Sequence, residues 1–99
     1  MDKKYAAQEA ITHSMMGSLG LKLIEEKEGF IRASMPVNDN TSQPFGVLCG
    51  GASLAFAEII AGYGSYLCCP EGFIPVGSSV SGNHVSSVRK APDVLVYAE

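Results

Sequence analysis

The pattern of apolar and polar positions is most distinctive in residues 43–70. This stretch is a long, mainly apolar run that contains a single charged residue, Glu58. Good helix formers without proline follow a turn-like opening, so this stretch predicts a central helix over about residues 50–67. A lone carboxylate in apolar surroundings costs several kcal/mol unless it is paired or neutralised. Glu58 is therefore either tolerated for a functional reason or not fully buried.

The predicted helix has one bulky face and one face of small residues when side chains are placed at 100° per residue. The small face holds Gly51, Ala55, Ala61, Gly62 and Ser65 around Glu58, with Leu54 as the large neighbour. The bulky face holds Phe56, Ile60, Tyr63 and Leu67. We expect the bulky face to pack on a sheet and the small face to admit another backbone or a ligand.

Three interpretations of this stretch compete. Its length would allow a membrane-spanning helix, but a central Glu opposes insertion by roughly 2.5–3.5 kcal/mol and no basic flank orients it. A structural core helix whose Glu58 caps a neighbouring group is the second interpretation. The third, a catalytic carboxylate in a crevice, is the one that we favour.

The remaining patterns predict a single α+β domain over residues 1–99. They indicate a helix over residues 3–16, strands over 21–25, 30–37, 73–84 and 94–98, and a hairpin turn at Gly29. Gly77 and Gly82, inside the long third strand, predict a bulge or a close backbone approach. The sequence stops at Glu99 within a predicted strand, which suggests a fragment of a longer chain whose last strands are missing.

Composition narrows the classes of function. Apolar residues make up 46% of 99 residues, a share that favours an oligomer because surplus apolar surface needs a partner. A net charge of -3 without a basic stripe argues against nucleic acid. Three cysteines, two of them adjacent, form a poor disulfide framework, and the polar N-terminus lacks a signal peptide's apolar core, so the cytoplasm is expected.

The start of the predicted helix is a candidate binding site for a developing oxyanion. Gly50 and Gly51 leave unpaired amide groups unshielded there, at the positive end of the helix dipole. Glu58 lies seven residues beyond Gly51, about 10 Å along the axis. Both groups can act on one carbonyl only if two helices from different subunits pack antiparallel. Glu58 would then act as the base for water or as the nucleophile, and the residues do not decide between these roles.

One block of the sequence resembles the signature of a known family. It consists of Gln43-Pro-Phe-Gly-Val-Leu-Cys-Gly-Gly-Ala-Ser and the later Ala57-Glu58. This block resembles the signature of hotdog-fold acyl-CoA thioesterases, in the branch of phenylacetate-pathway thioesterases and 1,4-dihydroxy-2-naphthoyl-CoA hydrolase. Asn83-His84, followed by Ser87-Val88-Arg89, is similar to another segment of that branch. The resemblance implies an antiparallel sheet wrapped around a helix, dimers that pair into tetramers, and hydrolysis of a CoA thioester without a metal or other cofactor.

The same resemblance assigns roles to individual residues. It makes Glu58 the catalytic carboxylate, gives Gln43 an assisting role, and has the Gly51 amide polarise the thioester carbonyl. Candidate substrate-binding residues are Cys49, Gly50, Asn83, His84, Arg89 and Lys90. Without the resemblance, His84 could equally be a histidine at a strand end whose hydrogen bonds are satisfied locally. The Arg89-Lys90 pair could equally lie in a solvated turn.

Two departures from the family pattern leave alternatives open. Cys49 occupies a position where family members usually carry His, and relatives continue for two further strands. A thiol is a weaker hydrogen-bond donor than an imidazole. The alternatives are therefore a hotdog domain that binds acyl-CoA without turnover, and a hotdog hydratase or dehydratase with His84 near Glu58.

Overall fold

The structure, a computed structural model, describes residues 3–99 as a mixed α+β arrangement. Its elements, in chain order, are α1 (Lys3–Thr12), α2 (Met15–Ser18), β1 (Lys22–Lys27), β2 (Phe30–Pro36), α3 (Gly50–Cys68) and β3 (Leu95–Ala98). The predicted central helix is thus present, longer by one residue at its C-terminal end. Cys69 ends it with an extended backbone, and Pro70 follows, a residue that cannot continue a helix.

The three strands form one antiparallel sheet in the order β1-β2-β3. The hairpin between β1 and β2 turns at Gly29, whose φ of 77° is the left-handed conformation that glycine adopts without strain. Lys27 pairs with Phe30 beside the turn, and β2 pairs with β3 from Ala33↔Ala98 to Pro36↔Leu95. The predicted hairpin and the predicted last strand are therefore confirmed.

The bulky face of α3 packs on this sheet, as its pattern predicted. Phe56 and Ile60 are each 3% exposed and join one core cluster with Ala33 and Met35 of β2, which are fully buried. Tyr63, on the same face of α3, packs against that cluster. Burial on the sheet fixes the rotation of α3, so that the opposite face, with Glu58, points away from the sheet.

The prediction of one continuous helix over residues 3–16 was wrong. α1 ends at Thr12 and α2 begins at Met15, because the intervening Ser14 has an extended backbone and caps α2. The Ser14 hydroxyl accepts a hydrogen bond from the Met16 amide at 3.2 Å and donates one to the Ile11 carbonyl at 2.9 Å. A serine that bonds to nearby backbone in this way competes with helix continuation.

The prediction of a long strand over residues 73–84 was also wrong. This segment forms no ladder with any described residue and instead runs along α3, with its apolar side chains largely exposed. Valine-rich composition makes a strand only where a neighbouring strand supplies hydrogen bonds. The adjoining residues make isolated bridges, such as Val47 with Arg89, and these connect the segment's end to the loop before α3.

Candidate active site

Glu58 lies in the middle of α3 on its small-residue face and is half-buried. Within residues 3–99 its carboxylate forms no ion pair and accepts no hydrogen bond. It therefore does not cap a neighbouring group, as the structural interpretation of the sequence would require. Because the side chain keeps access to solvent, the free energy of burying a charge is largely avoided.

A cavity of about 310 Å³ adjoins the Glu58 carboxylate. Its lining consists of Leu54, Ala55 and Glu58 from α3, and of Gly77, Ser78, Ser79 and Val80 from the segment that runs along the helix. Glu58 is the one titratable group of this lining. Two larger cavities, of about 880 and 540 Å³, lie between the β1–β2 hairpin and the C-terminal half of α3, and between residues 37–40 and 90–92. Neither is lined by Glu58.

The N-terminus of α3 offers hydrogen-bond donors without partners. Cys49 is the N-cap residue, with φ −74° and ψ 130°, and its thiol makes no capping hydrogen bond. The amides of Ala52 and Ser53 donate to the Cys49 carbonyl, whereas those of Gly50 and Gly51 donate to no described residue. Gly51 is exposed, so its amide is accessible to a group outside this chain.

The helix keeps these amides apart from the carboxylate. Since α3 is continuous from Gly50 to Cys68, the seven residues between Gly51 and Glu58 span about 10 Å along its axis. One copy of α3 therefore does not present both groups to a single carbonyl carbon. This agrees with the sequence-based expectation that the two groups come from different subunits.

Gln43 lies in the tight loop that leads into α3. Its amide donates to the Val47 carbonyl at 2.9 Å, and its carbonyl accepts from Gly46 at 3.1 Å. Gly46 has a φ of 86°, a value that suits glycine at this turn. The Gln43 backbone thus holds the turn, while its side-chain amide makes no hydrogen bond within the described part of the chain and remains available to a ligand.

The His84 side chain contacts Gly50, the first residue of α3. Its Nε2 atom is 3.1 Å from the Gly50 carbonyl oxygen, to which the protonated nitrogen donates a hydrogen bond. The neighbouring Asn83 is exposed. The structure therefore brings His84 and Gly50 together, at the opposite end of the site from Glu58.

The two adjacent cations, Arg89 and Lys90, differ in their surroundings. The Lys90 ammonium lies 2.8 Å from an Asp39 carboxylate oxygen, and this hydrogen bond and charge lower the pKa of Asp39 below its ordinary value. The Arg89 guanidinium forms no ion pair with the described residues. Backbone contacts with Gly46 and Val47 connect both cations to the loop before α3 rather than to the Glu58 cavity.

Sequence reasoning missed Ser78 and Ser79 as part of this site. A close approach at Gly77 was predicted, and the structure confirms it, with the Glu58 carboxylate as the group approached. Which residues follow Gly77 into the cavity depends on how the segment crosses α3, and no local pattern encodes that. The described residues include no cluster of His, Cys, Asp or Glu that could hold a metal ion, and none of the described helices is long and apolar enough to cross a membrane.

Comparisons with known proteins identify the family. Residues 45–99 match the model of the thioesterase superfamily. The chain belongs to the thioesterase superfamily. This match includes the end of the loop before α3, the whole of α3 and β3, and therefore every candidate site residue except Gln43.

Two relatives of known name match most of this thioesterase-superfamily chain. The 1,4-dihydroxy-2-naphthoyl-CoA hydrolase of Escherichia coli is 39% identical over 77 residues, which are 78% of this chain and 57% of that protein. A proofreading thioesterase of Cronobacter turicensis is 34% identical over 92 residues, 89% of this chain and 67% of that protein. The chain thus spans little more than half the length of the first of these relatives.

Solved structures agree on the fold. A thioesterase from Haemophilus influenzae superposes with a TM-score of 0.84 at 35% identity, over 98% of this chain and 66% of that one. A thioesterase from Pseudomonas aeruginosa gives a TM-score of 0.83 at 31% identity, over 98% and 68%. The hotdog fold predicted from the sequence is therefore confirmed.

Proposed function

We propose that this chain hydrolyses a CoA thioester to a free acid and CoA. One observation carries the proposal: within residues 3–99, the Glu58 carboxylate beside the cavity and the first two amides of its helix all lack hydrogen-bond partners. A carboxylate and free amides are the two groups that thioester hydrolysis needs, one to activate the attacking group and one to stabilise the oxyanion. The names of the relatives, a CoA hydrolase and a thioesterase, support the thioester as substrate.

The proposed reaction breaks the bond between the carbonyl carbon and sulfur. As a base, Glu58 takes a proton from water while the water oxygen bonds to the carbonyl carbon; CoA leaves as a thiolate and is then protonated. As a nucleophile, Glu58 displaces the CoA thiolate to form a mixed anhydride that water hydrolyses. In both routes the Gly51 amide donates a hydrogen bond to the carbonyl oxygen as negative charge develops there.

The active site is proposed to combine two copies of the chain. The axial separation of about 10 Å between Gly51 and Glu58 requires the amide of one copy and the carboxylate of another. Exposed apolar side chains support association, since Val76 is 85% and Val85 95% exposed. We propose a homodimer that pairs into a tetramer, located in the cytoplasm.

Other residues of the proposed site would bind and orient the substrate. The free Gln43 side-chain amide would orient water or the thioester carbonyl. The path of the acyl group and the pantetheine arm would be lined by residues at and near the start of α3, namely Cys49, Gly50, Asn83 and His84. Arg89 and Lys90 would bind CoA phosphates, with Lys90 exchanging its contact with Asp39 for a phosphate oxygen.

Within one copy, the geometry does not assemble the site that the hydratase or dehydratase alternative needs. That chemistry needs an imidazole and a carboxylate at one reacting carbon, whereas His84 contacts Gly50, the first residue of α3. Gly50 precedes Glu58 by eight residues, or about 12 Å along the helix axis. In a site shared between two copies, His84 would approach Glu58 of the other copy, since it contacts the residue next to Gly51, and this chemistry therefore remains an alternative.

One observation favours a second candidate function, binding of acyl-CoA without turnover. Cys49, at the N-cap of α3, offers a thiol that makes no capping hydrogen bond. A thiol is a weak donor, so it assists the oxyanion less than a stronger donor at the same place would. Binding would remain possible, since the Gly50 and Gly51 amides stay free.

Release of CoA thiol from benzoyl-CoA and from a medium-chain acyl-CoA distinguishes these two functions. A thiol-reactive dye reports the release, and a blank without thioester corrects for the chain's own three cysteines. The proposal predicts catalytic release from at least one thioester, far beyond one equivalent per chain. Saturable binding of both thioesters, measured by calorimetry, with no release from either would contradict hydrolysis and support the binding function.

A further inference from the structure

The segment over residues 77–84 runs along the small-residue face of α3 in the direction opposite to the helix. Three contacts define this course, and each involves a glycine. The three pairs are Gly77 with Glu58, Gly82 with Leu54, and His84 with Gly50. As the segment advances, its partner on α3 moves back by one helical turn at each contact. The catalytic face predicted from the sequence is therefore covered in part by the chain itself.

The contact at Gly77 differs in kind from the contact at Gly82. A Cβ atom added at Gly77 would overlap the Glu58 carboxylate oxygen Oε1 and would lie 3.3 Å from the carboxyl carbon. A Cβ atom at Gly82 would lie 3.0 Å from the Leu54 Cδ2 methyl, the flexible end of an aliphatic side chain. An alanine at 77 must therefore displace the carboxylate, whereas an alanine at 82 displaces one methyl group.

The conformation of the backbone does not explain the glycine at 77. Its φ is outside the left-handed region that favours glycine, unlike that of Gly72, where φ is 88°. An alanine can adopt the backbone of residue 77 without strain, so the space taken by Glu58 is the reason why a side chain does not fit.

We propose that Gly77 is a positioning residue for the Glu58 carboxylate. Its missing side chain lets the segment close one wall of the cavity while the carboxylate keeps its place and its contact with water. Ser78 and Ser79 follow directly in the same wall and line the cavity with uncharged residues. The role of Gly77 in hydrolysis rests on the function proposed above.

Two alanine variants test this proposal, Gly77→Ala and its matched control Gly82→Ala. Gly77→Ala is expected to lower kcat by about 100-fold, since a displacement of about 1 Å of a reacting group costs that much. Gly82→Ala is expected to keep the wild-type kcat within a few-fold.

A double-mutant cycle with Glu58→Asp adds a second test. The shorter acid withdraws from residue 77, so Gly77→Ala is expected to cost much less in that background than in the wild type. Equal losses in both backgrounds would overturn the proposal. So would equal losses of kcat in Gly77→Ala and Gly82→Ala accompanied by equal losses of thermal stability, since Gly77 would then be structural only.

One readout separates failure of this proposal from failure of the proposed function. The ¹³C chemical shift of the Glu58 carboxyl carbon reports the surroundings of the carboxylate whether or not any thioester is hydrolysed. Gly77→Ala is expected to change this chemical shift, and Gly82→Ala to leave it unchanged. A chemical shift that is the same in all three proteins would overturn the positioning role of Gly77, even if hydrolysis is observed.

Discussion

The two faces of α3 divide stability from chemistry. On the back, Phe56 and Ile60 are buried against β2 and make one cluster with Met35. On the front, Leu54, Ala55 and Glu58 line a cavity whose other wall, residues 77–80, belongs to no strand. The back is packed closely enough to fix the helix, and the front is open enough to keep a charged group in contact with water. A single helix can thus hold a carboxylate rigidly without burying it.

The largest expected effect is on the front face. Glu58→Gln keeps the size of the side chain but removes the base or nucleophile, and a positioned acid–base group contributes roughly 10²–10⁴-fold to a rate. We expect thiol release to fall by that factor, with unchanged circular dichroism. The control is Glu28→Gln, in the exposed hairpin turn. Equal activity in the two variants would remove Glu58 from the mechanism.

The matching change on the back face affects stability. Phe56→Ala leaves a cavity in the core, and such truncations cost about 3–5 kcal/mol in free energy of unfolding. Urea denaturation followed at 222 nm measures this loss. Phe73→Ala, at a side chain that is 66% exposed, is the control and is expected to change stability by less than about 0.5 kcal/mol. Similar losses from both would mean that α3 is not held by its back face.

The smallest expected effect concerns the edge of the back face, where the Tyr63 hydroxyl donates to a Glu26 carboxylate oxygen at 3.4 Å. Burial, and then the charge of Glu26, raise the pKa of Tyr63 from 10.0 to about 12. Because the folded-state pKa is the higher one, this contribution to stability is fully present below pH 10 and is lost as the pH rises through about 12. The loss is modest, since Tyr63 is only partly buried and solvent screens the charge of Glu26.

Tyr63→Phe is therefore expected to flatten the alkaline limb of the stability curve between pH 10 and about 12. Glu26→Gln removes only the charge of the Glu26 carboxylate. It is expected to narrow the pH range over which this stability is lost, because that charge helps to raise the pKa of Tyr63. Denaturation midpoints at several alkaline pH values measure both changes. An alkaline limb that is as steep in Tyr63→Phe as in the wild type would assign the loss to another group.

Local patterns predicted the back face well and the front face only in part. The 3.6-residue period of α3 identified its packed surface, because burial leaves a direct mark on residue type. Residues 73–84 carried the composition of a strand, but a strand needs a neighbouring strand to pair with, and the described residues offer none. Ser14 broke the first helix through a side-chain hydrogen bond that apolar periodicity does not register.

The candidate site followed the same division. A functional role for Glu58 was predicted from its isolation in an apolar run. A bulge or a close backbone approach at Gly77 was predicted from the presence of glycine in a predicted strand. That these two residues meet could not be predicted, because the contact joins positions 19 residues apart through the course of an irregular segment. The functional roles of Glu58, Gly51 and all the other candidate site residues remain predictions.

Complementation between two inactive variants tests most directly whether two copies of α3 form one site. Glu58→Gln removes the carboxylate. Gly51→Leu covers the first turn of α3, since a helical side chain lies over the turn that precedes it. Within its own chain a Cβ at Gly51 meets only the Cys49 sulfur, at 3.8 Å, so the variant is expected to fold. Random pairing makes half of the dimers mixed, each with one intact site of two, so activity is expected to return to about a quarter of the wild-type value. A mixture as inactive as its parents, with mixed dimers shown by mass spectrometry, would contradict a site shared between copies.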